Sequence, residues 1–211
     1  MNGRFITFEG GEGAGKTTQI ARLAGDLAAA GMNVCRTREP GGSQGAEELR
    51  RLILTGAVDR WDPRTEALLI AAARRDHVER TIRPALATGA WVLCDRFTDS
   101  TMAYQGFAGG IGRDAIDWLR RFATGGLSPD LTLILDLPVT TGLARAAARP
   151  DGHHRFEGRD RAFHERLRGA FLDIAAAEPE RCRVIDGDRP PDAVAAAIRE
   201  AVGMRFGVAL P

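Results

Sequence analysis

The sequence predicts an α/β fold in which a five-stranded parallel sheet carries helices on both faces. Three observations predict it: short apolar segments alternate with helix-periodic segments, no internal repeat interrupts them, and 211 residues suffice for one sizeable core. No interdomain linker is visible, so we expect a single domain over residues 1–211. The predicted strands are Arg4–Glu9, Asn33–Arg38, Trp91–Asp95, Leu131–Asp136 and Arg183–Asp186.

Helical periodicity fills the intervals between these strands. The pattern that begins at Lys16 stops at Gly31, as helices often do at glycine, and Pro84 should bend or end a long helix. We expect the tail after Gly203 to fray. The predicted helices are Lys16–Ala30, Ala46–Leu54, Thr65–Ala87, Arg113–Ala123, Thr140–Arg149, Asp160–Ala177 and Asp192–Val202.

Composition limits the classes of function. The formal net charge is +1, which argues against nucleic acid as a partner, and no apolar run is long enough to span a membrane. Because Met1–Arg4 runs straight into a predicted strand, we expect no secretory leader. The three cysteines, Cys35, Cys94 and Cys182, are an odd number without metal-type spacing. We therefore expect reduced thiols and a cytoplasmic location.

The most specific motif lies between the first predicted strand and the first predicted helix. Gly10–Thr17 fits the phosphate-binding pattern G-x-x-x-x-G-K-[ST] in its required strand–loop–helix context. Its backbone N–H groups can surround phosphates, Lys16 can reach the β- and γ-phosphates, and the Thr17 hydroxyl can ligate Mg²⁺. A chance match has odds of about one in a hundred. The predicted ATP-binding residues are Gly10, Gly11, Glu12, Gly13, Ala14, Gly15, Lys16, Thr17 and Thr18.

The lysine content sharpens this interpretation. Of the 29 basic residues, only Lys16 is a lysine. The guanine-reading motif Asn-Lys-x-Asp therefore cannot occur, which argues against a regulatory GTPase. A nucleotide or nucleoside kinase and a P-loop binding module without turnover remain as alternatives.

A second group of polar residues follows the third predicted strand. Asp95 could hold Mg²⁺ or its waters, and Arg96 offers a planar fork suited to a phosphate. The alternative is that Asp95 and Arg96 form a structural ion pair with each other. Within the predicted helix, Arg74 and His77 share one face, either as a solvated charged surface or with His77 as a packing or hydrogen-bonding residue.

A dense basic stretch surrounds a glycine-containing loop at about residues 145–160. We interpret it as a lid segment that closes on ATP and supplies arginines to the transferred phosphoryl group. The alternative is a pair of exposed charged helices. The residues that carry this interpretation are Arg145, Arg149, His153, His154, Arg155, Glu157, Arg159 and Arg161.

Several motifs together resemble the bacterial thymidylate kinases, in the order and spacing of that family from about residue 4 to about residue 200. They are Phe8–Thr18, Thr37–Gly42, Asp95–Phe97 with Ser100, Ala103–Gly106, and Arg155–Glu157. The resemblance implies a P-loop kinase fold, transfer of a phosphoryl group from ATP to dTMP with Mg²⁺, and a homodimer.

The resemblance also implies site residues. Glu12 would approach the acceptor's 3′-hydroxyl, Arg96 its phosphate, Arg74 the thymine edge, and Tyr104 would crowd the 2′ position. Thr17 and Asp95 would serve the metal. The implied dTMP-binding residues are Glu12, Arg38, Ile70, Arg74, Arg96, Thr101, Tyr104 and Gln105.

Two features set this chain apart within that resemblance. The P-loop carries Ala14 at the position where some members of the family place a basic residue, so the resemblance implies that a catalytic arginine comes from the lid. Arg149 and Arg155 are the alternatives for it. The other implied catalytic residues are Lys16 and Arg96. Ile70 stands where many relatives have a phenylalanine that stacks on the base, which leaves an apolar wall.

Overall fold

A computed structural model describes residues 3–148, 155–156 and 158–211. Its five strands are all parallel and lie in the order β2-β3-β1-β4-β5. This arrangement brings the carboxyl ends of the strands to one edge of the sheet, where ligands bind in open α/β folds. The strands are β1 (Arg4–Glu9), β2 (Val34–Arg38), β3 (Trp91–Asp95), β4 (Leu131–Asp136) and β5 (Cys182–Asp186).

Helices connect the strands and, with two π-helical segments at Val78–Ile82 and Met102–Ala108, account for most of the remaining described chain. Asp62 and Asp160 cap two of them by accepting hydrogen bonds from first-turn backbone N–H groups. The helices are α1 (Lys16–Ala29), α2 (Gln44–Leu54), α3 (Pro63–His77), α4 (Arg83–Ala87), α5 (Thr98–Thr101), α6 (Arg113–Thr124), α7 (Val139–Ala147), α8 (Arg161–Ala177) and α9 (Pro191–Phe206).

The sheet has a core on each face, because successive strand residues point to opposite sides. Ile6 and Phe8 pack in the core that includes α1 and α9. On the other face, Phe5 packs with Val78 of the first π-helical segment. Apolar residues of α8 form a neighbouring cluster on this face with Ile134 of β4. The predicted two-faced α/β fold is therefore confirmed. Among the described residues, no helix combines the length and apolar character needed to cross a bilayer.

Two helical regions differ from the sequence prediction. The helix does not end at Pro84: the chain passes from α3 through the Val78–Ile82 π-helical segment into α4, which contains Pro84 and continues to Ala87. After β3, residues 98–108 form α5 and the second π-helical segment, a helix that the sequence did not predict because its polar and glycine residues obscure the apolar period.

The C-terminal tail is ordered, and the prediction that it frays was wrong. Helix α9 continues to Phe206, whose ring lies 5.0 Å from that of Trp91 at an edge-to-face angle. Val208 and Leu210 pack against the same core cluster. Apolar contacts at the end of the chain therefore outweigh the usual mobility of a terminus.

Candidate active site

The predicted P-loop connects β1 to α1 and depends on glycine at positions of close approach. A Cβ on Gly13 would lie 1.9 Å from the carbonyl oxygen of Gly142, and one on Gly10 would lie 2.4 Å from that of Leu135. Both glycines also have positive φ angles, 69° and 127°. The loop conformation is thus available to glycine alone at these positions.

Lys16 folds back over this loop from the first turn of α1. Its Nζ donates to the carbonyl oxygens of Gly10 at 3.1 Å and Gly11 at 2.9 Å. Burial, together with the nearby Arg96 charge, lowers the pKa of Lys16 to about 8, although the Asp95 charge opposes the shift. A buried ammonium bonded only to carbonyl groups is poised to exchange them for phosphate oxygens.

Thr17 and Asp95 meet at the mouth of the loop. The Thr17 hydroxyl donates to Asp95 Oδ2 at 3.0 Å. Two oxygen donors at this spacing beside a phosphate-binding loop fit the ligand preference of Mg²⁺. Among the described residues no cluster of three or more His, Cys, Asp or Glu side chains could hold a metal without other ligands.

Arg96 follows β3 and joins the P-loop to the neighbouring cleft. It has a positive φ of 68°, uncommon outside glycine, which is a locally strained backbone. Its guanidinium donates to Gly10 O at 3.0 Å, to Ser100 Oγ at 3.1 Å and to Glu12 Oε1 at 3.0 Å. The alternative of an Asp95–Arg96 ion pair is wrong, because Arg96 pairs with Glu12 of the P-loop.

Tyr104 contacts the same carboxylate from the second π-helical segment. Its hydroxyl donates to Glu12 Oε1 at 2.7 Å, and the Arg96 guanidinium lies 5.0 Å from its ring centroid. Burial raises the pKa of Tyr104 well above its ordinary value, so the hydroxyl remains a donor. Glu12, Arg96 and Tyr104 therefore form one hydrogen-bonded unit between the P-loop and the cleft.

A cleft with about 630 Å³ of empty space opens beside this unit. Seven of the eight predicted acceptor residues line it, and the eighth, Arg38, does not. Arg38 instead pairs with Glu47 at 3.2 Å, while Arg50 and Phe156, which the sequence did not suggest, line the cleft. The residues that line it are Glu12, Glu39, Pro40, Arg50, Leu54, Ile70, Arg74, Arg96, Phe97, Ser100, Thr101, Tyr104, Gln105 and Phe156.

Arg74 is held in the cleft wall by a buried network. Its Nε donates to Glu39 Oε2 at 2.7 Å, and one terminal nitrogen donates to the backbone oxygen of Phe97 at 2.9 Å. His77, which is 0% exposed, bonds the other oxygen of Glu39 at 2.9 Å and Thr37 Oγ1 at 2.6 Å. The solvated-face interpretation is therefore wrong, and the hydrogen-bonding role for His77 is confirmed.

Of the two lid arginines predicted to be catalytic, the structure describes Arg155 but not Arg149. Arg155 is buried and donates to Ile53 O at 3.1 Å, to Val58 O at 2.9 Å, and to the Glu66 carboxylate. Each of its three guanidinium nitrogens thus has a partner away from the P-loop, which corrects the expectation that Arg155 reaches the transferred phosphoryl group. Arg149 lies outside the described residues, as do His153, His154 and Glu157.

Glu9 is a site residue that the sequence motif contained but did not single out. Its carboxylate is fully buried at the end of β1 and accepts hydrogen bonds from Phe97 N at 2.7 Å and Ser100 Oγ at 2.6 Å. Burial, together with the nearby Asp99 charge, raises the pKa of Glu9 to about 7. It fixes the start of α5, and hence Arg96, against the central strand.

Comparison with known proteins accounts for this combination of features. The family model described as thymidylate kinase matches residues 8–198. The chain belongs to the thymidylate kinase family. Thymidylate kinase from Caulobacter vibrioides is 60% identical over 206 residues, which cover 98% of this chain and 99% of that protein. Thymidylate kinase from Rhizorhabdus wittichii is 55% identical and covers 96% and 98%.

A solved structure supports the thymidylate kinase fold independently of the family model. The crystal structure of thymidylate kinase from Ehrlichia chaffeensis has a TM-score of 0.80 and 34% identity, and it covers 96% of this chain and all of that chain. The resemblance inferred from the sequence motifs is thus confirmed. As a member of this family the chain is a phosphotransferase, and its P-loop belongs to a nucleotide kinase rather than to a binding module.

Proposed function

We propose that this protein transfers the γ-phosphoryl group of ATP to dTMP, giving ADP and dTDP. The observation that carries the proposal is the position of Arg96. Its guanidinium donates to a P-loop carbonyl group and also lines the adjacent cleft. One cation is therefore shared by the loop suited to the donor triphosphate and the cleft suited to an acceptor phosphate.

The chemistry of this step needs charge compensation more than proton transfer. The acceptor phosphate is mostly dianionic near pH 7, so its oxygen attacks without a general base. Two polyanions must approach in line, and Lys16 and Arg96 offset their repulsion as charge spreads over the transferred group. Entry of the acceptor phosphate would exchange the Arg96–Glu12 bond for a bond to phosphate, and the Glu12 carboxylate could then accept a hydrogen bond from the sugar hydroxyl.

We propose Mg²⁺ as the metal that accompanies ATP. Thr17 and Asp95 would hold it, directly or through water, with the remaining ligands supplied by phosphate oxygens. When bound, the ion supplies neutralisation of charge on the β- and γ-phosphates. The 3.0 Å separation between the two protein oxygens supports this assignment.

We assign the phosphoryl-contacting arginine of the lid segment to Arg149. The buried partners of Arg155 support this choice, since moving its guanidinium to the P-loop would remove the described donor of Glu66 Oε2 and of two backbone oxygens and break a buried ion pair. We also propose that residues 145–160 form a lid that closes over bound ATP. It would exclude water that otherwise hydrolyses ATP.

We propose a homodimer that buries an apolar face of α3 and α6. Trp118 and Phe122 of α6 are 60% and 73% exposed and stack with ring centroids 5.3 Å apart, and Leu68 of the contacting helix α3 is 60% exposed. Exposed aromatic side chains on adjacent helices are typical of an interface. Light scattering during size-exclusion chromatography tests this, with Trp118→Glu expected to give monomers.

We propose a cytoplasmic location. All three cysteines are described, and all three are free thiols. This state suits a reducing compartment.

A coupled assay of ADP release with a panel of acceptors tests the activity. We expect dTMP to give the highest kcat/KM and free nucleosides to give little turnover, because they lack the phosphate that Arg96 would bind. Highest turnover with CMP or with thymidine would assign the cleft to another acceptor.

A further inference from the structure

Three aromatic side chains line the acceptor cleft, and they offer it different amounts of ring surface. Phe97 is 0% exposed, with the Arg74 guanidinium 5.3 Å from its ring centroid and the Phe5 ring at its edge. Tyr104 is 6% exposed, and the Arg96 guanidinium covers its ring. Phe156 is only partly buried. It is therefore the aromatic residue of the cleft with ring surface left to offer a ligand.

Phe156 is also held in place from several sides. Its ring meets Tyr104 edge-to-face, with centroids 5.5 Å apart and an interplanar angle of 84°. It packs against the cluster that contains Ile70. The guanidinium of Arg155 lies 4.8 Å from the ring centroid on one side, and Arg155 is itself fixed by its bonds to Ile53, Val58 and Glu66. The position of the ring is thus set by buried, long-range contacts.

Ile70, another apolar residue of the cleft lining, offers a different kind of surface. It is 8% exposed and aliphatic, so it gives a base dispersion contacts without a π surface. Arg74 and Gln105 supply polar groups in the same cleft. A pyrimidine that bonds these groups needs a flat apolar neighbour, and Phe156 is the remaining candidate.

We propose that Phe156 supplies the aromatic surface that holds the pyrimidine ring of the acceptor. The inference rests on the proposed function and extends it by naming a base-binding residue on the lid side of the cleft. Stacking of a base on an aromatic side chain corresponds to roughly a 5- to 150-fold change in dissociation constant on substitution by alanine. The effect should fall on the acceptor alone, because Phe156 contacts no P-loop residue in the described ring contacts.

Calorimetric titration with dTMP tests the inference in Phe156→Ala and Phe156→Leu. We expect the dTMP dissociation constant to rise roughly 5- to 150-fold in Phe156→Ala and by less in Phe156→Leu, which keeps apolar volume. The dissociation constant for ATP should stay within about threefold of wild type. Phe107→Ala, which removes an exposed aromatic side chain outside the cleft lining, is the matched control and should leave both constants unchanged.

Two further measurements separate an aromatic contact from a structural effect. In wild type, the ring current of Phe156 should shift the proton resonance of the thymine methyl group of bound dTMP, and Phe156→Leu should remove that shift. Ile70→Phe in the Phe156→Leu background should restore part of the affinity, since it returns an aromatic ring to the cleft lining.

The outcomes distinguish this inference from the proposed function. If wild type fails to phosphorylate dTMP, the proposed function fails and the inference with it. If wild type phosphorylates dTMP but Phe156→Leu binds it as tightly as wild type with an unchanged methyl resonance, only the role of Phe156 is overturned. The leucine variant keeps the test decisive even if the alanine variant does not fold.

Discussion

The P-loop and the acceptor cleft meet at Arg96, yet they are held together in different ways. The P-loop is one contiguous segment, Gly10–Thr17, whose shape depends on glycine and on bonds from Lys16 to its own carbonyl groups. The cleft is built by buried ion pairs between distant segments, as in Glu39 with Arg74 and Glu66 with Arg155. Removing a P-loop side chain should therefore affect chemistry with little loss of stability, whereas removing a cleft charge should affect both.

Lys16→Ala should give the largest effect on activity. We expect kcat to fall by about 10³-fold or more, because a donor to the transferred phosphoryl group is lost in a site that excludes water. The melting temperature should stay close to that of wild type, since Lys16 bonds only its own loop. Arg22→Ala, which removes an exposed ion pair on the same helix, is the control. Near-normal turnover by a folded Lys16→Ala protein would remove the P-loop from the mechanism.

Arg149 and Arg155 should show the same difference within the lid segment: substitution of one should affect catalysis, and substitution of the other should affect stability. Arg149→Ala should lower kcat by about 10³-fold with unchanged stability, as expected for an arginine that contacts the transferred group. Arg155→Ala should lower the free energy of unfolding by about 3–5 kcal/mol, because it breaks a buried ion pair. Chemical denaturation and single-turnover kinetics on both variants measure this. A stable Arg155→Ala protein with a 10³-fold rate loss would reverse the assignment.

The pH dependence of ATP binding should reveal Lys16 directly. Because the pKa of Lys16 in the free protein is about 8, the amine loses its proton as pH rises through that value. The dissociation constant for ATP should then increase by up to about tenfold per pH unit above 8, until the higher pKa of the bound state is reached. Lys16→Arg keeps its charge and should give a flatter profile between pH 7 and 9.5. Parallel profiles for the two proteins would contradict the prediction.

Glu9 should give the smallest effect, in stability alone. Its folded pKa of about 7 exceeds its ordinary value of 4.5, so between these pH values the folded state binds more protons than the unfolded state. The stability contributed by Glu9 should therefore fall as pH rises from 4.5 to 7, by roughly 1–3 kcal/mol. Glu9→Gln should lack this component, and urea titrations of both proteins at several pH values would measure the difference. An identical slope for the two proteins would show that Glu9 titrates normally.

The difference between the contiguous P-loop and the cleft built from distant segments also explains which parts of the site the sequence could predict. The P-loop could be predicted because the fixed residues of its motif, Gly10, Gly15, Lys16 and Thr17, all lie within eight consecutive positions. The strands Trp91–Asp95 and Leu131–Asp136 were predicted with their observed bounds, since buried parallel strands form continuous apolar runs.

The cleft resisted prediction because its partners lie far apart in the sequence. Arg74 and Glu39 are 35 residues apart, and Arg155 and Glu66 are 89 apart. Nothing local distinguishes Glu66 or Glu39 from a surface carboxylate, and Arg155 matched a lid motif whose side chain turns out to be buried. Arg38, an acceptor residue implied by the resemblance, pairs with Glu47 on the surface, and its role stays a prediction.

The solitary lysine has a practical consequence. Since Lys16 is the only lysine in the sequence and has a pKa of about 8, a mildly alkaline buffer leaves much of it as a nucleophilic free amine. Small amine-selective acylating reagents then have one side-chain amine to modify besides the α-amino group, and peptide mass spectrometry separates the two products. A bound triphosphate would shield that amine, so the extent of Lys16 acylation would report the fraction of the protein that has nucleotide bound.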